Sequence, residues 1–85
     1  MRILRREQLL TFTKAYPASQ SSLTAWAQII EQNNFAHFVQ LKQVFSSADY
    51  VKPYTVFDIS GNKYRLISLI NYNLNLLLVE RILTH

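Results

Sequence analysis

The sequence predicts an α+β fold, with an N-terminal strand and helices packed on one face of an antiparallel sheet of three or four strands. Two observations support this prediction. Apolar residues recur at helical spacing in the first half of the chain, and the second half is rich in β-branched and aromatic residues between turn signals. Because 49% of the 85 residues are hydrophobic, we expect one domain over residues 1–85 with a packed core.

The first half of the chain predicts a short strand followed by helices. "MRILR" alternates enough to form the strand, and "REQLLTFTKAY" is a helix that ends at Pro17. "LTAWAQIIEQ" is the clearest amphipathic helix, and "FAHFVQLKQVF" is a short third helix or a helical turn. The predicted inward positions are Leu9, Phe12, Thr13, Tyr16, Leu23, Trp26, Ala27, Ile30, Phe35, Phe38, Leu41 and Phe45.

The second half predicts three antiparallel strands, "YTVFDIS", "KYRLISLINY" and "LLLVERILT", joined by tight turns. Gly61 and Asn62 form a two-residue hairpin turn of type I′ or II′, which pairs Asp58 with Arg65 across the ladder. Odd-numbered residues of the middle strand then share one face of the sheet, and even-numbered residues share the other. We expect the helices to cover one of these faces and the other to be partly apolar, with cations at one end.

The second turn, "NLN", decides which residues of the last strand share a face with Arg65. A two-residue loop pairs Asn62 with His85, whereas a three-residue loop pairs Lys63 with His85. We favour the three-residue loop, because it needs a left-handed residue at its end and Asn75 tolerates that conformation.

The favoured register predicts a gathering of positive charge on one sheet face. It places Val79, Arg81 and Leu83 on the face of the odd-numbered residues. An arginine fork, further cations and a titratable imidazole then lie together, which indicates a phosphate site. The members of this site are Lys63, Arg65, Arg81 and His85.

Ordinary structural roles remain open for the same side chains. Arg65 opposite Asp58 forms a structural ion pair in this alternative, and Lys63 is a solvated residue on the hairpin rim. Lys42, beside inward apolar residues, extends along the surface of its helix. His85 is then simply a terminal residue.

Composition narrows the function classes. The net charge of +4 favours an anionic partner, such as nucleic acid, an acidic protein or a membrane surface. The absence of cysteine excludes disulfides and thiolate chemistry, and no glycine-rich phosphate loop or metal-ligand cluster is present, so no cofactor or metal is expected. We expect no signal peptide, no membrane span and a cytoplasmic location.

Three segments, "LKQVFSSADYV", "YTVFDISGNKYRLISLINY" and "ERILTH", resemble the HigB-type toxins of type II toxin–antitoxin modules, within the RelE-like group of mRNA interferases. The family markers are a Leu-Lys pair before Phe-x-Ser-Ala-Asp, a Phe-Asn-Ile/Val-x-Gly-Asn-x-x-Arg-Leu hairpin, an Asn-Tyr pair and a Thr-His pair. They correspond here to Leu41–Lys42, Phe45–Asp49, Phe57–Leu66, Asn71–Tyr72 and Thr84–His85.

Two features depart from the family pattern. Asp58 stands where the family usually has asparagine. The family also continues past the Thr-His pair into a tail with a Tyr-Asp pair, whose tyrosine is a candidate catalytic or stacking group. We therefore expect weak or no cleavage by the 85-residue form, and more activity from a chain extended by such a tail.

The resemblance implies an endoribonuclease that cuts mRNA in the ribosomal A site, by attack of a ribose 2′-hydroxyl on the adjacent phosphate and without a metal. It also implies a HigA-type helix-turn-helix antitoxin, which carries any contact with operator DNA. The alternative is a catalytically impaired binding module that docks antitoxin or RNA without cutting. The implied residues are Arg65 as phosphate clamp, His85 as acid or base, and Lys42, Lys63, Asn62 and Arg81 as substrate contacts.

Overall fold

The computed structural model describes residues 1–84. In this range one strand is followed by three helices and then by four further strands. The elements are β1 (Arg2–Leu4), α1 (Glu7–Ala15), a 3₁₀ turn (Pro17–Ser19), α2 (Gln20–Gln32), α3 (Phe38–Val44), β2 (Asp49–Val51), β3 (Tyr54–Ile59), β4 (Tyr64–Asn71) and β5 (Leu76–Thr84).

The predicted α+β class is confirmed, but the prediction of three or four antiparallel strands is wrong. The sheet has five strands in the order β1-β5-β4-β3-β2, and it is mixed because β1 runs parallel to β5. The other neighbours are antiparallel. The strand β2 was not predicted, since three exposed residues are too few to show an alternating pattern.

The position of β1 is set by its contacts with α2, not by a hairpin. Ile3 is buried, and the Met1 ammonium donates hydrogen bonds to the carbonyl oxygens of Ile30 at 3.1 Å and Asn33 at 2.6 Å. These carbonyls lie at the C-terminal end of α2, where a positive charge is stabilised by the helix dipole. The chain therefore enters the sheet at the end of α2 and pairs with β5 in parallel.

One face of the sheet is covered by the helices, and the core lies between these two layers. Most of the predicted inward residues are buried or packed against the core, including the ring contact between Trp26 and Phe57, whose centroids are 5.4 Å apart. Tyr16 was predicted inward but is 42% exposed, because α1 ends at Ala15 and the backbone leaves helical geometry at Tyr16. Its ring instead stacks on Phe12 at 4.7 Å.

The first hairpin has the predicted register. Ile59 pairs with Tyr64 and Asp58 pairs with Arg65. Gly61 has a φ of +70° and Asn62 does not have a positive φ, which excludes a type I′ turn centred on these two residues because that turn needs a positive φ at both of them. The only glycine of the chain therefore stands where the turn requires it.

The second hairpin combines both of the registers considered above. Asn75 is left-handed, with a φ of +58°, as predicted. Near the turn, Asn71 pairs with Leu76, which is the register of the two-residue loop. Farther from the turn, Arg65 pairs with Leu83, which is the register of the three-residue loop.

A β-bulge at Glu80 joins the two registers. Ser68 pairs with Val79 and Ile67 pairs with Arg81, so Glu80 is the extra residue. The prediction that Val79 shares a face with Arg81 is wrong, because the bulge reverses the alternation between them. Val79 is fully buried on the helix side, and Arg81 is exposed on the opposite side.

Candidate functional site

The sheet face opposite the helices, called here the open face, carries the candidate site. Along β3 the odd-numbered residues are buried and the even-numbered residues are not, and along β4 this parity is reversed. Asp58 on β3 and Arg65 on β4 therefore lie on the open face, and Arg81 on β5 joins them through its pairing with Ile67. The face combines charged groups with a partly apolar floor.

Arg65 stands directly opposite Asp58, as predicted. The Arg65 Nε lies 3.7 Å from the Asp58 Oδ1, and the two side chains are 46% and 27% exposed. A pair with this exposure contributes about 0.2–1 kcal/mol to stability, because water screens both charges. The fold therefore does not depend on this pair, and a second anion can approach the accessible part of the guanidinium.

Two clefts adjoin on the open face. The Arg65 cleft, of about 290 Å³, is lined by Arg65, Asp58 and Tyr54 among others. The Arg81 cleft, of about 410 Å³, is lined by Arg81, Glu80, Tyr54 and Ile67. Because Tyr54 and Ile67 line both clefts, these two side chains form the boundary between them.

The charges of the open face alternate in sign. The Arg65 cleft also contains Asp49, so one arginine there faces two carboxylates, and Arg81 lies beside Glu80 in the other cleft. The face therefore offers separate cationic positions rather than a continuous positive surface. Such positions suit a ligand that carries spaced negative charges.

Lys42 lies at the margin of this site and not among the residues that line the two clefts. Its Nζ donates a hydrogen bond to the carbonyl oxygen of Ala48 at 2.7 Å, and it lies 3.8 Å from the Asp49 Oδ1. Lys42 thus stabilises the loop between α3 and β2. Asp49, which lines the Arg65 cleft, connects Lys42 to the site.

Lys63 and Asn62 lie in the turn between β3 and β4, at the end of the sheet that carries Arg65. Both are exposed, and the Lys63 amide donates a hydrogen bond to the Ser60 carbonyl at 3.3 Å. His85, the other member of the predicted gathering, lies outside the described residues. The structure thus brings Arg65 and Arg81 together on one face, with Lys63 and Asn62 on the adjacent turn.

Three residues of the clefts were missed at the sequence level. Tyr54 could have been found, because the alternation of "YTVFDI" puts it on the same face as Asp58. Asp49 could not, since β2 was not recognised as a strand. Glu80 could not either, because its position depends on the bulge.

Other kinds of site have no support in residues 1–84. No group of three or more histidine, aspartate and glutamate side chains could hold a metal ion there. No helix in this range is long and apolar enough to cross a membrane. Burial raises the pKa of the Tyr72 hydroxyl above 10.0, but this ring packs against the core and takes no part in the open face.

Comparison with known proteins identifies one family. The model of the HigB toxin family, described as the RelE-like toxic component of a toxin–antitoxin system, matches residues 19–85. No curated protein matches the chain. The matched segment includes both clefts of the open face, and the family implies an antitoxin as partner. The chain belongs to the HigB toxin family, the RelE-like toxic components of toxin–antitoxin systems.

Proposed function

We propose that this toxin is an endoribonuclease that cleaves mRNA on the ribosome and so inhibits translation. The observation that carries the proposal is the pair of adjoining clefts on the open face, each with an exposed arginine, in a toxin of this family. RNA presents one phosphate for each nucleotide, and arginine binds phosphate through two parallel N–H donors. The proposal treats residues 1–85 as one toxin domain, working in the cytoplasm.

The proposed reaction needs three contributions from the protein. The ribose 2′-oxygen attacks the adjacent phosphorus, its proton passes to a base, and the leaving 5′-oxygen takes a proton from an acid. Negative charge builds on the phosphate oxygens during the attack. Arg65 stabilises that charge in this proposal, because preorganised donors act most strongly where charge develops.

The remaining roles extend the proposal to the rest of the predicted site. His85 acts as acid or base, since an imidazole titrates near neutral pH. Arg81 binds a second phosphate from its own cleft, and Lys63 and Asn62 contact the RNA from the turn. Lys42 adds positive potential from the margin of the Arg65 cleft.

The proposed partner is a HigA-type antitoxin with a helix-turn-helix domain. It neutralises the toxin, and any contact with operator DNA is made by the antitoxin alone. The net charge of +4 on the toxin then serves contact with mRNA and the ribosome.

A second candidate function is a binding module that docks antitoxin or RNA without cutting. Three carboxylates on the open face, those of Asp49, Asp58 and Glu80, favour this alternative. Each one repels a phosphate that approaches Arg65 or Arg81. In this case the toxin fold is retained and the rate of cleavage is negligible.

Growth arrest separates the two functions. If the chain is an active endoribonuclease, its expression without the antitoxin should arrest bacterial growth, and Arg65→Ala should relieve the arrest. Removal of one donor that stabilises a transition state lowers the rate by about 10²- to 10³-fold. Bacterial growth curves at matched protein levels provide the measurement.

Arg6→Ala is the matched control. Arg6 is also an exposed arginine paired with a carboxylate, at 2.7 Å from Glu31, but it lies at the start of a helix. This variant should arrest growth as the parent does. Equal toxicity of the Arg65→Ala variant and the parent would remove Arg65 from the proposed mechanism.

A further inference from the structure

We infer that Tyr54 is a stacking platform for one base of the RNA, placed between phosphate positions at Arg65 and Arg81. This inference rests on the proposed function and adds the residue that positions the nucleotide. It assigns a binding role to a side chain that lines both clefts.

Tyr54 lies on the open face, between the Arg65 cleft and the Arg81 cleft. Its side chain lies on the open face, because Thr55 and Phe57 beside it in β3 are buried on the helix side. Arg65 lies in one of the two clefts that Tyr54 borders and Arg81 lies in the other. A strand of RNA that places successive phosphates in the two clefts must therefore cross the ring of Tyr54.

The ring of Tyr54 is partly exposed and has an aliphatic neighbour. Tyr54 is 36% exposed, and Ile67 borders the same two clefts. A partly exposed aromatic ring beside an aliphatic side chain offers an apolar surface of the size of a base. Single-stranded RNA is commonly held in this way, with bases on aromatic rings and phosphates on cations.

The ring contacts of Tyr54 differ from those of Tyr50, the neighbouring tyrosine on β2. Tyr50 on β2 is 54% exposed, but it faces the helix side, and its ring lies 6.0 Å from that of Phe38. Tyr54 makes no ring contact with any residue of 1–84. Tyr50 therefore has an aromatic partner within the protein, whereas Tyr54 has none among residues 1–84.

Cleavage of mRNA on purified translating ribosomes tests the inference. Tyr54→Leu should lower kcat/KM by about 5- to 150-fold, the range expected for loss of one base–aromatic stack. Tyr54→Phe keeps the ring and should cut like the parent. Tyr50→Leu removes a tyrosine that is also exposed, but on the other side of the sheet, and should also cut like the parent.

An abasic nucleotide makes the test specific to stacking. In a series of mRNAs, each with one abasic position around the cut site, one position should slow the parent by the same factor as Tyr54→Leu. The Tyr54→Leu variant should show no further loss at that position, because both changes remove the same contact.

The possible outcomes distinguish a failure of the stacking role from a failure of the proposed function. Absence of cleavage by the parent chain would overturn the proposed function, and the inference with it. Cleavage by Tyr54→Leu at the parental rate would overturn the stacking role alone. The stacking role would also be overturned if Tyr54→Phe or Tyr50→Leu lost as much activity as Tyr54→Leu, or if the abasic losses were equal in parent and variant.

Discussion

Arg65 faces two kinds of anion in the proposed reaction, the carboxylate of Asp58 and a phosphate of the RNA. The Asp58 carboxylate lies 3.7 Å from the Arg65 Nε in the structure without RNA. A phosphate that binds Arg65 must share the guanidinium with this carboxylate or displace it. In the proposed reaction, Asp58 therefore weakens the binding of RNA, and an uncharged asparagine at this position would do so less.

Asp58→Asn should strengthen the binding of mRNA. The variant keeps the shape of the side chain and removes one negative charge beside the clamp. The KM for cleavage of ribosome-bound mRNA should fall by about 1.5- to 5-fold, which corresponds to an exposed ion pair of 0.2–1 kcal/mol.

Glu31→Gln is the control for this change. It removes the same charge from the carboxylate that pairs with Arg6 on the helix side, so the net charge of the two variants is equal. Its KM should match that of the parent. An unchanged KM in Asp58→Asn, or an equal fall in both variants, would show that Asp58 does not oppose RNA at the clamp.

The positions of some site residues could be predicted from the sequence, and those of others could not. Arg65 was placed by the turn at Gly61, because the hairpin register follows from the turn. Arg81 lies on the predicted face for a reason other than the predicted three-residue loop, because the bulge at Glu80 shifts the register of β5. Lys42 could not be placed, because its bond to the Ala48 carbonyl depends on how the loop after α3 folds.

Among the secondary-structure elements, β5 shows most clearly how the fold positions the site. Val79 and Ile82 both turn toward the helix side although they are three positions apart, which a regular strand does not allow. The bulge at Glu80 accommodates this spacing and keeps Arg81 on the open face. Hydrophobic spacing in "VERIL" is a signal of the bulge, but a three-residue spacing also fits a helix.

Deletion of Glu80 should leave the fold and its stability nearly unchanged. Without the extra residue, Val79 still pairs with Ser68 and Arg81 still pairs with Ile67, so every side chain keeps its face. The free energy of unfolding should fall by less than about 1 kcal/mol. Thermal or denaturant unfolding of the purified protein measures this difference.

Deletion of Val79 is the matched control, because it shortens β5 by the same length. It moves the Glu80 carboxylate into the fully buried position opposite Ser68, where no partner compensates its charge. The cost should be about 3 kcal/mol or more. If the two deletions cost the same, the bulge does not set the faces of β5.

The edges of the sheet were the least predictable elements. The parallel pairing of β1 is decided by contacts between Met1 and the end of α2, some thirty positions away, and no local pattern reports it. The short strand β2 forms because β3 offers an edge with which it can pair. By contrast, α2 and the first hairpin carry strong local signals, and both were predicted.

Across the whole molecule, the two faces of the sheet have separate roles. The helix side holds the core, with Phe57, Leu66 and Leu77 almost completely buried. The open face holds the charged side chains that line the candidate site, and both clefts. Changes on the open face should therefore alter activity with little effect on folding, whereas changes on the helix side should reduce stability.

The central claim is that the open face cleaves mRNA and that Arg65 binds the reacting phosphate. The most direct test is to map the 5′ ends of a reporter mRNA on purified translating ribosomes, with the parent chain and with Arg65→Ala. The account predicts new ends within the A-site codon for the parent, and a cleavage rate lower by about 10²- to 10³-fold for the variant. No new ends with the parent, or equal rates for parent and variant, would contradict the claim.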